Sequence, residues 1–66
     1  MEIELNGAAH QVVEGQKLSE LVAALSLSNQ AIAVAVNRQI VARSSWSAHR
    51  LQAHDKVDVV RAIGGG

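Results

Sequence analysis

The chain contains no cysteine, which excludes disulfides, thiolate metal sites and thiol nucleophiles together. It has a single aromatic residue, Trp46, so its core must be built from Val, Ile, Leu and Ala rather than from rings. It has no excess of either charge. Six basic and six acidic residues balance to a formal net charge of zero, leaving no electrostatic footprint for nucleic acid or for an anionic membrane. Partners must then be found by shape and local contacts. Long apolar runs are absent too: the longest, Ala31 to Val36, falls far short of the roughly 20 residues that a bilayer demands. The polar start Met1-Glu2-Ile3-Glu4 does not have the apolar stretch of a signal peptide. These features lead us to expect a cytoplasmic protein that acts on neither nucleic acid nor membrane.

The side chains offer no enzyme. His10, His49 and His54 include no pair spaced to put two metal ligands on one helical face. There is no Gly-rich phosphate loop opening a helix, no nucleophile elbow around Ser44 or Ser45, and no carboxylate cluster placed for acid and base work. Ser45 and His49 are four apart and could approach on a helical turn, but without a third orienting group they read as surface residues.

A length of 66 residues allows one domain, which buries only about 60% of the surface its unfolded chain exposes. Met1-Glu2-Ile3-Glu4-Leu5 alternates apolar and polar, and Asn6-Gly7 follows it, the pair best suited to a type I′ hairpin turn. His10 to Val13 reads as the returning strand, ending where Gly15 lets the chain turn away. Leu18, Leu21, Val22 and Leu25 recur at helical spacing and predict a helix over 18–25 whose apolar stripe needs a sheet to cover. Ser26 to Gln30 is a loop, and Ala31 to Val36 a buried strand with Ile32, Val34 and Val36 on its core face. Asn37-Arg38 is a tight turn and Gln39 to Val41 a short strand. Ala42 to Leu51 is an irregular crossover with one helical turn near Ser45 to Ala48. Asp55-Lys56 turns the chain into a last strand, Val57 to Arg61, with Val57 and Val59 facing one way and Asp58 and Val60 the other.

This order predicts an α+β roll, one main helix on one face of a mixed sheet, with the first and last strands parallel neighbours near its middle. Residues 1–61 make the domain and residues 62–66 a flexible tail. Trp46 reads as a plug at the end of the sheet beneath the crossover, with a partner anchor as the alternative. Val60 and Ala62 fall on the face away from the helix, where apolar exposure next to the tail suggests a docking surface.

Gly64-Gly65-Gly66 is where the chemistry concentrates. In most proteins a terminal glycine run is a frayed end or a linker remnant. Here it follows an apolar strand directly, with no Ser-rich or charged spacer. Without Cβ atoms, three extended glycines can enter a channel too narrow for side chains, reaching roughly 10 Å. A carboxylate is a poor electrophile, so its use requires ATP to form an acyl adenylate, whose AMP leaves when a sulfur nucleophile attacks. The product is a thiocarboxylate at Gly66. The missing cysteine suits this chemistry, since no internal thiol competes for the activated carbonyl.

The segment Ala35-Val36-Asn37-Arg38-Gln39-Ile40-Val41-Ala42-Arg43-Ser44-Ser45-Trp46, followed by Leu51, Asp55 and the terminal Gly65-Gly66, resembles the ThiS family, the bacterial sulfur carriers of thiamin biosynthesis. The resemblance runs over essentially the whole chain. It implies a ubiquitin-like β-grasp fold and a thiocarboxylate on Gly66, with Gly64 and Gly65 threading into a partner's active site. It implies as partners an E1-like (ThiF-like) adenylyltransferase that uses ATP, a persulfide sulfur donor enzyme, and a thiazole synthase (ThiG-like) that takes the sulfur into the thiazole ring. No cofactor is implied on the chain itself, which is a carrier and not an enzyme. Two positions depart from the family. His54 replaces a glycine before the Asp of the last turn, which asks histidine for positive φ. Lys17 replaces a threonine at the helix start, removing a side-chain cap typically worth about 1 kcal/mol. Two alternatives share the tail: a sulfur carrier for molybdopterin synthesis or tRNA thiolation, and a ubiquitin-like protein modifier or interaction module.

Overall fold

In the computed structural model, which describes residues 1–61, Asn6 and Gly7 sit at φ 49° and 84°. Both central residues of a type I′ turn need positive φ, and the turn pairs Leu5 directly with Ala8. Strand β1 (Glu2–Leu5) therefore returns at once as β2 (Ala8–Gln11). The expected return strand, His10 to Val13, starts late, because a two-residue turn leaves no slack before pairing begins. Asn37 and Arg38 repeat the device at φ 51° and 70°, joining β3 (Ile32–Val36) to β4 (Gln39–Val41).

The last strand, β5 (Lys56–Arg61), enters between the two hairpins. The sheet order is β2-β1-β5-β3-β4, with β5 parallel to β1 and antiparallel to β3. The anticipated central pairing of first and last strands is therefore present. The turn before β5 falls at Ala53-His54, two residues ahead of the expected Asp55-Lys56, and His54 takes the positive φ expected of it, 69°. Its amide donates to Glu2 O at 2.8 Å and Glu4 N–H donates to Asp55 O at 2.8 Å, which extends the parallel ladder back into the turn.

Helix α1 (Leu18–Ala24) lays Leu18, Leu21 and Val22 on the sheet, where they meet Ile3, Val34, Val36 and Val57 in the buried core. Leu25 caps the helix instead of continuing it. Ser26 at φ 60° donates its amide to Ala23 O, and Leu27 donates to Val22 O at 3.1 Å. These are the two bonds of a Schellman ending. Leu27, the one apolar residue of the loop, packs against the core.

Lys17 offers the helix no side-chain cap, since an ammonium cannot accept. Backbone carbonyls take over. Leu18 N–H donates to His49 O at 2.8 Å and Ser19 N–H to Trp46 O at 3.1 Å, so the crossover satisfies two amides that a helix start leaves unpaired. Glu20 Oε1 in turn accepts from Lys17 N–H at 2.8 Å.

The crossover opens with a 3-10 turn at Arg43–Ser45, and the expected turn at Ser45 to Ala48 follows it, Ala48 N–H donating to Ser45 O at 3.1 Å. Arg43 anchors it: its guanidinium donates to Ser28 O at 2.9 Å and Gln30 O at 2.7 Å and lies 4.5 Å from the centre of the Trp46 ring. Trp46 is 5% exposed and donates its indole N–H to Val41 O at 2.9 Å. It is a core residue, as the first of its two readings held.

Leu21 is fully buried at the centre of the helix–sheet contact. Leu21→Ala should cost about 2–5 kcal/mol, a large share of the roughly 5–15 kcal/mol that holds a domain together. A urea melt should show a midpoint lowered to match; an unchanged midpoint would mean that the helix is not seated on this stripe.

Candidate functional site

Strand β5 carries the chain from the core to its glycines, and its alternation decides what faces outward. Val57 is buried and Val59 partly buried against the helix layer. Lys56, Asp58 and Val60 therefore face the uncovered side. Across the sheet, Val60 pairs with Ala33 and Asp58 with Ala35, and Ala35 pairs with Ile40. Partners in register share a face, so Val60, Ala33, Ala35 and Ile40 form an apolar area on the β5-β3-β4 half, with the exposed Asp58, opposite Ala35, at its border. The alanines are short, and Val60 and Ile40 stand above them at 60% and 74% exposure.

The other half of the same face is different. Glu2 pairs with Gln11, and Glu4 with Ala9 and, on its other side, Lys56, giving a largely polar surface. The uncovered face is thus divided, apolar toward β4 and polar toward β2. Apolar exposure gathered on one area, rather than scattered singly, is what a docking surface looks like.

Two asparagines hold β5 from opposite sides. Asn37 Oδ1 accepts from Lys56 N–H at 3.0 Å, while its amide nitrogen donates to Asp55 Oδ1 at 3.0 Å. Asn6 Oδ1 accepts from Val59 N–H at 2.8 Å. Each is the first residue of a positive-φ turn, and each bond spans a long stretch of sequence.

Val60 lies on the face where the sequence placed it. Ala62, Gly64, Gly65 and Gly66, and with them the anticipated tail, lie outside the described residues. Ile40 went unrecognised as a member of the exposed area; its alternation with the half-buried Val41 was the available signal, but only the strand register puts it beside Val60. Ser45 is exposed and His49 half-buried, and no side-chain hydrogen bond joins them. Among the described residues no helix is long and apolar enough to cross a membrane.

Comparison with known proteins adds the following. The profile of the ThiS family matches residues 3–66. The chain is 36% identical over 66 residues to the sulfur carrier protein ThiS of Escherichia coli, covering 100% of both. It is 38% identical over 66 residues to a thiazole synthase of Magnetococcus marinus, of which it spans 20%. The crystal structure of the thiamine biosynthesis protein ThiS from Geobacter metallireducens superposes with a TM-score of 0.87 at 26% identity, over 100% of both chains. The solution structure of a thiamine biosynthesis protein from the same organism gives 0.80 at 26% identity, over 100% of this chain and 88% of that one. The likeness extends to the arrangement as a whole, a ubiquitin-like β-grasp.

Because Val60 and Ile40 support no core, replacing both by threonine, which keeps the β-branch, should shift stability by no more than about 1 kcal/mol. Equal urea midpoints for the double variant and the parent would agree with an area kept for another molecule. A loss as large as that of a core truncation would make it structural.

Proposed function

The chain belongs to the ThiS family, the sulfur carriers of thiamin biosynthesis, and from that premise we propose that the Gly66 carboxylate is the group that carries the sulfur. The observation that carries this reading is that the family match runs through residue 66, glycines included. The protein is a substrate of enzymes and not itself a catalyst.

The chemistry follows from the poor electrophilicity of a carboxylate. A Gly66 oxygen attacks the α-phosphorus of ATP, an acyl–phosphate bond forms, and pyrophosphate leaves. The terminal sulfur of a persulfide on a donor enzyme then attacks the carbonyl, and AMP leaves with the electron pair of the broken C–O bond. A thiol cleaves the resulting acyl disulfide, itself being oxidised to a disulfide, and the thiocarboxylate remains on Gly66. ATP is consumed by the adenylyltransferase and is not a resident of the carrier.

Three glycines suit this role because the enzyme must surround the reacting carbonyl while excluding water, and only a chain without side chains passes a narrow channel. Val60 and Ile40 form the surface by which the adenylyltransferase grips the domain while Gly64 and Gly65 thread inward, with Ala62, two residues after Val60 in sequence, as a further contact. Thiazole synthase is the second partner and takes the sulfur for the thiazole ring. Support comes from the Magnetococcus thiazole synthase, a single chain with a segment similar to this protein. All these steps belong in the cytoplasm, where ATP and persulfide donors meet.

The test is mass spectrometry after incubation with the adenylyltransferase, ATP and a sulfur source, followed by mild alkylation with iodoacetamide. With no cysteine in the chain, a sulfur-dependent adduct should map to Gly66. Deleting Gly66, or Gly65→Val, should abolish the adduct and leave the melting midpoint unchanged, since both lie beyond the last strand. The Val60→Thr, Ile40→Thr variant should keep the adduct but need more carrier, a KM raised by about tenfold if the pair contributes about 1.4 kcal/mol to docking. An isopeptide bond from Gly66 to a lysine would identify a protein modifier instead, and normal activation of the Gly66 deletion would sink the assignment.

A further inference from the structure

The strand that leads to the tail outruns its parallel neighbour. Strand β1 pairs with β5 at Glu4↔Lys56 and Leu5↔Val57, and then turns away at Asn6. Beyond that point the backbone groups of β5 on this side meet no strand. Asn6 N–H donates to Val57 O at 2.9 Å, the last rung made by main chain alone. The next amide on the same side, Val59 N–H, donates to the Asn6 side chain at 2.8 Å. One residue therefore supplies two successive rungs, the second with its Oδ1 in place of a carbonyl.

We propose that Asn6 is a positioning residue for the carboxyl tail. On its other side the end of β5 is held by β3 through Ala33↔Val60 and Ile32↔Arg61. Asn6 supplies the missing hold. By fixing Val59 from the side that β1 has left, it holds the second half of β5, the segment that precedes the glycines in sequence, from both of its edges. The proposal rests on Gly66 being the reacting group, since only then does the direction of the tail matter to an enzyme.

The plain reading of Asn6 is that it is there for its positive φ, 49°. Glycine meets that need at least as well. Asn6→Gly keeps the turn and removes the acceptor, while Asn6→Asp tolerates the same φ and keeps an oxygen at the δ position. The two variants therefore separate turn from clamp.

The experiment measures amide hydrogen exchange at Val59 and the kinetics of pyrophosphate release with the adenylyltransferase and ATP, for wild type, N6G and N6D. In the wild type, Val59 should be protected to a degree comparable with Val57. In N6G it should exchange about 3–10-fold faster, the factor carried by one net hydrogen bond, with Val34 exchange unchanged. KM for the carrier should rise by about the same 3–10-fold while kcat stays within about twofold, because β5 is held less firmly before binding while Gly66 reacts normally once bound. N6D should restore both quantities. An unprotected wild-type Val59 overturns the proposal without any variant, which covers the case of N6G failing to fold. Faster exchange with an unchanged KM, or N6D behaving like N6G, also overturns it. A wild type that is never adenylated overturns the Gly66 reading and removes the tail role with it; a wild type adenylated no better than N6G overturns the Asn6 proposal alone.

Discussion

The parallel pairing of β1 with β5 is the constraint on which the rest of this small fold depends. It brings the first and last strands side by side in the middle of the sheet, so neither hairpin is joined to the other until the whole chain has been used. Parallel neighbours need a long connection, and here the connection contains the helix, the second hairpin and the crossover. Strand β5 is therefore a central strand, paired with β1 at its start and with β3 along its length.

The helix shows how a core with one ring manages its ends. Leu18, Leu21 and Val22 bury completely, but the helix is short and its N-cap is a lysine. Its first amides are answered by carbonyls of His49 and Trp46, which belong to the crossover. That crossover is held in turn by Arg43 on the loop carbonyls of Ser28 and Gln30 and by Trp46 on Val41. Loss of a local side-chain cap is offset by a tertiary one. The small core and the irregular segment thus stabilise each other, and neither is separable from the sheet order.

The functional reading follows from what that architecture leaves over. One face of the sheet is covered by the helix and the other is open, and the open face is divided between a polar half and the Val60–Ile40 area. The apolar half includes the strand that carries the glycines, so a partner that grips the sheet there stands where the tail begins. A carrier needs both features: a surface for recognition and an end narrow enough to enter an active site.

Most of the elements were legible in the residues, because their causes are local. Asn6-Gly7 and Asn37-Arg38 form turns by their own φ preferences, the Leu18 to Leu25 stripe obeys helical spacing, and the alternation from Val57 to Val60 sets the facing of the last strand. The glycines and the absence of cysteine pointed to the chemistry for the same reason, since a terminal carboxylate needs no folded pocket of its own. Other features depend on residues far apart in the chain. The return strand was placed two residues late because turn closure sets the register; the 3-10 turn at Arg43 went unforeseen because its anchors lie in another loop. Ile40 joins Val60 only through the pairing of β3 with both neighbours. Asn6 meets Val59 only after the sheet has closed. Spacing rules reach three or four residues along a helix and one turn along a hairpin, so the sequence by itself determined the pieces of the fold and the family they belong to. The tertiary structure decided which faces adjoin and which side chain meets the Val59 amide on β5, because those contacts exist only once the core has brought distant segments into register.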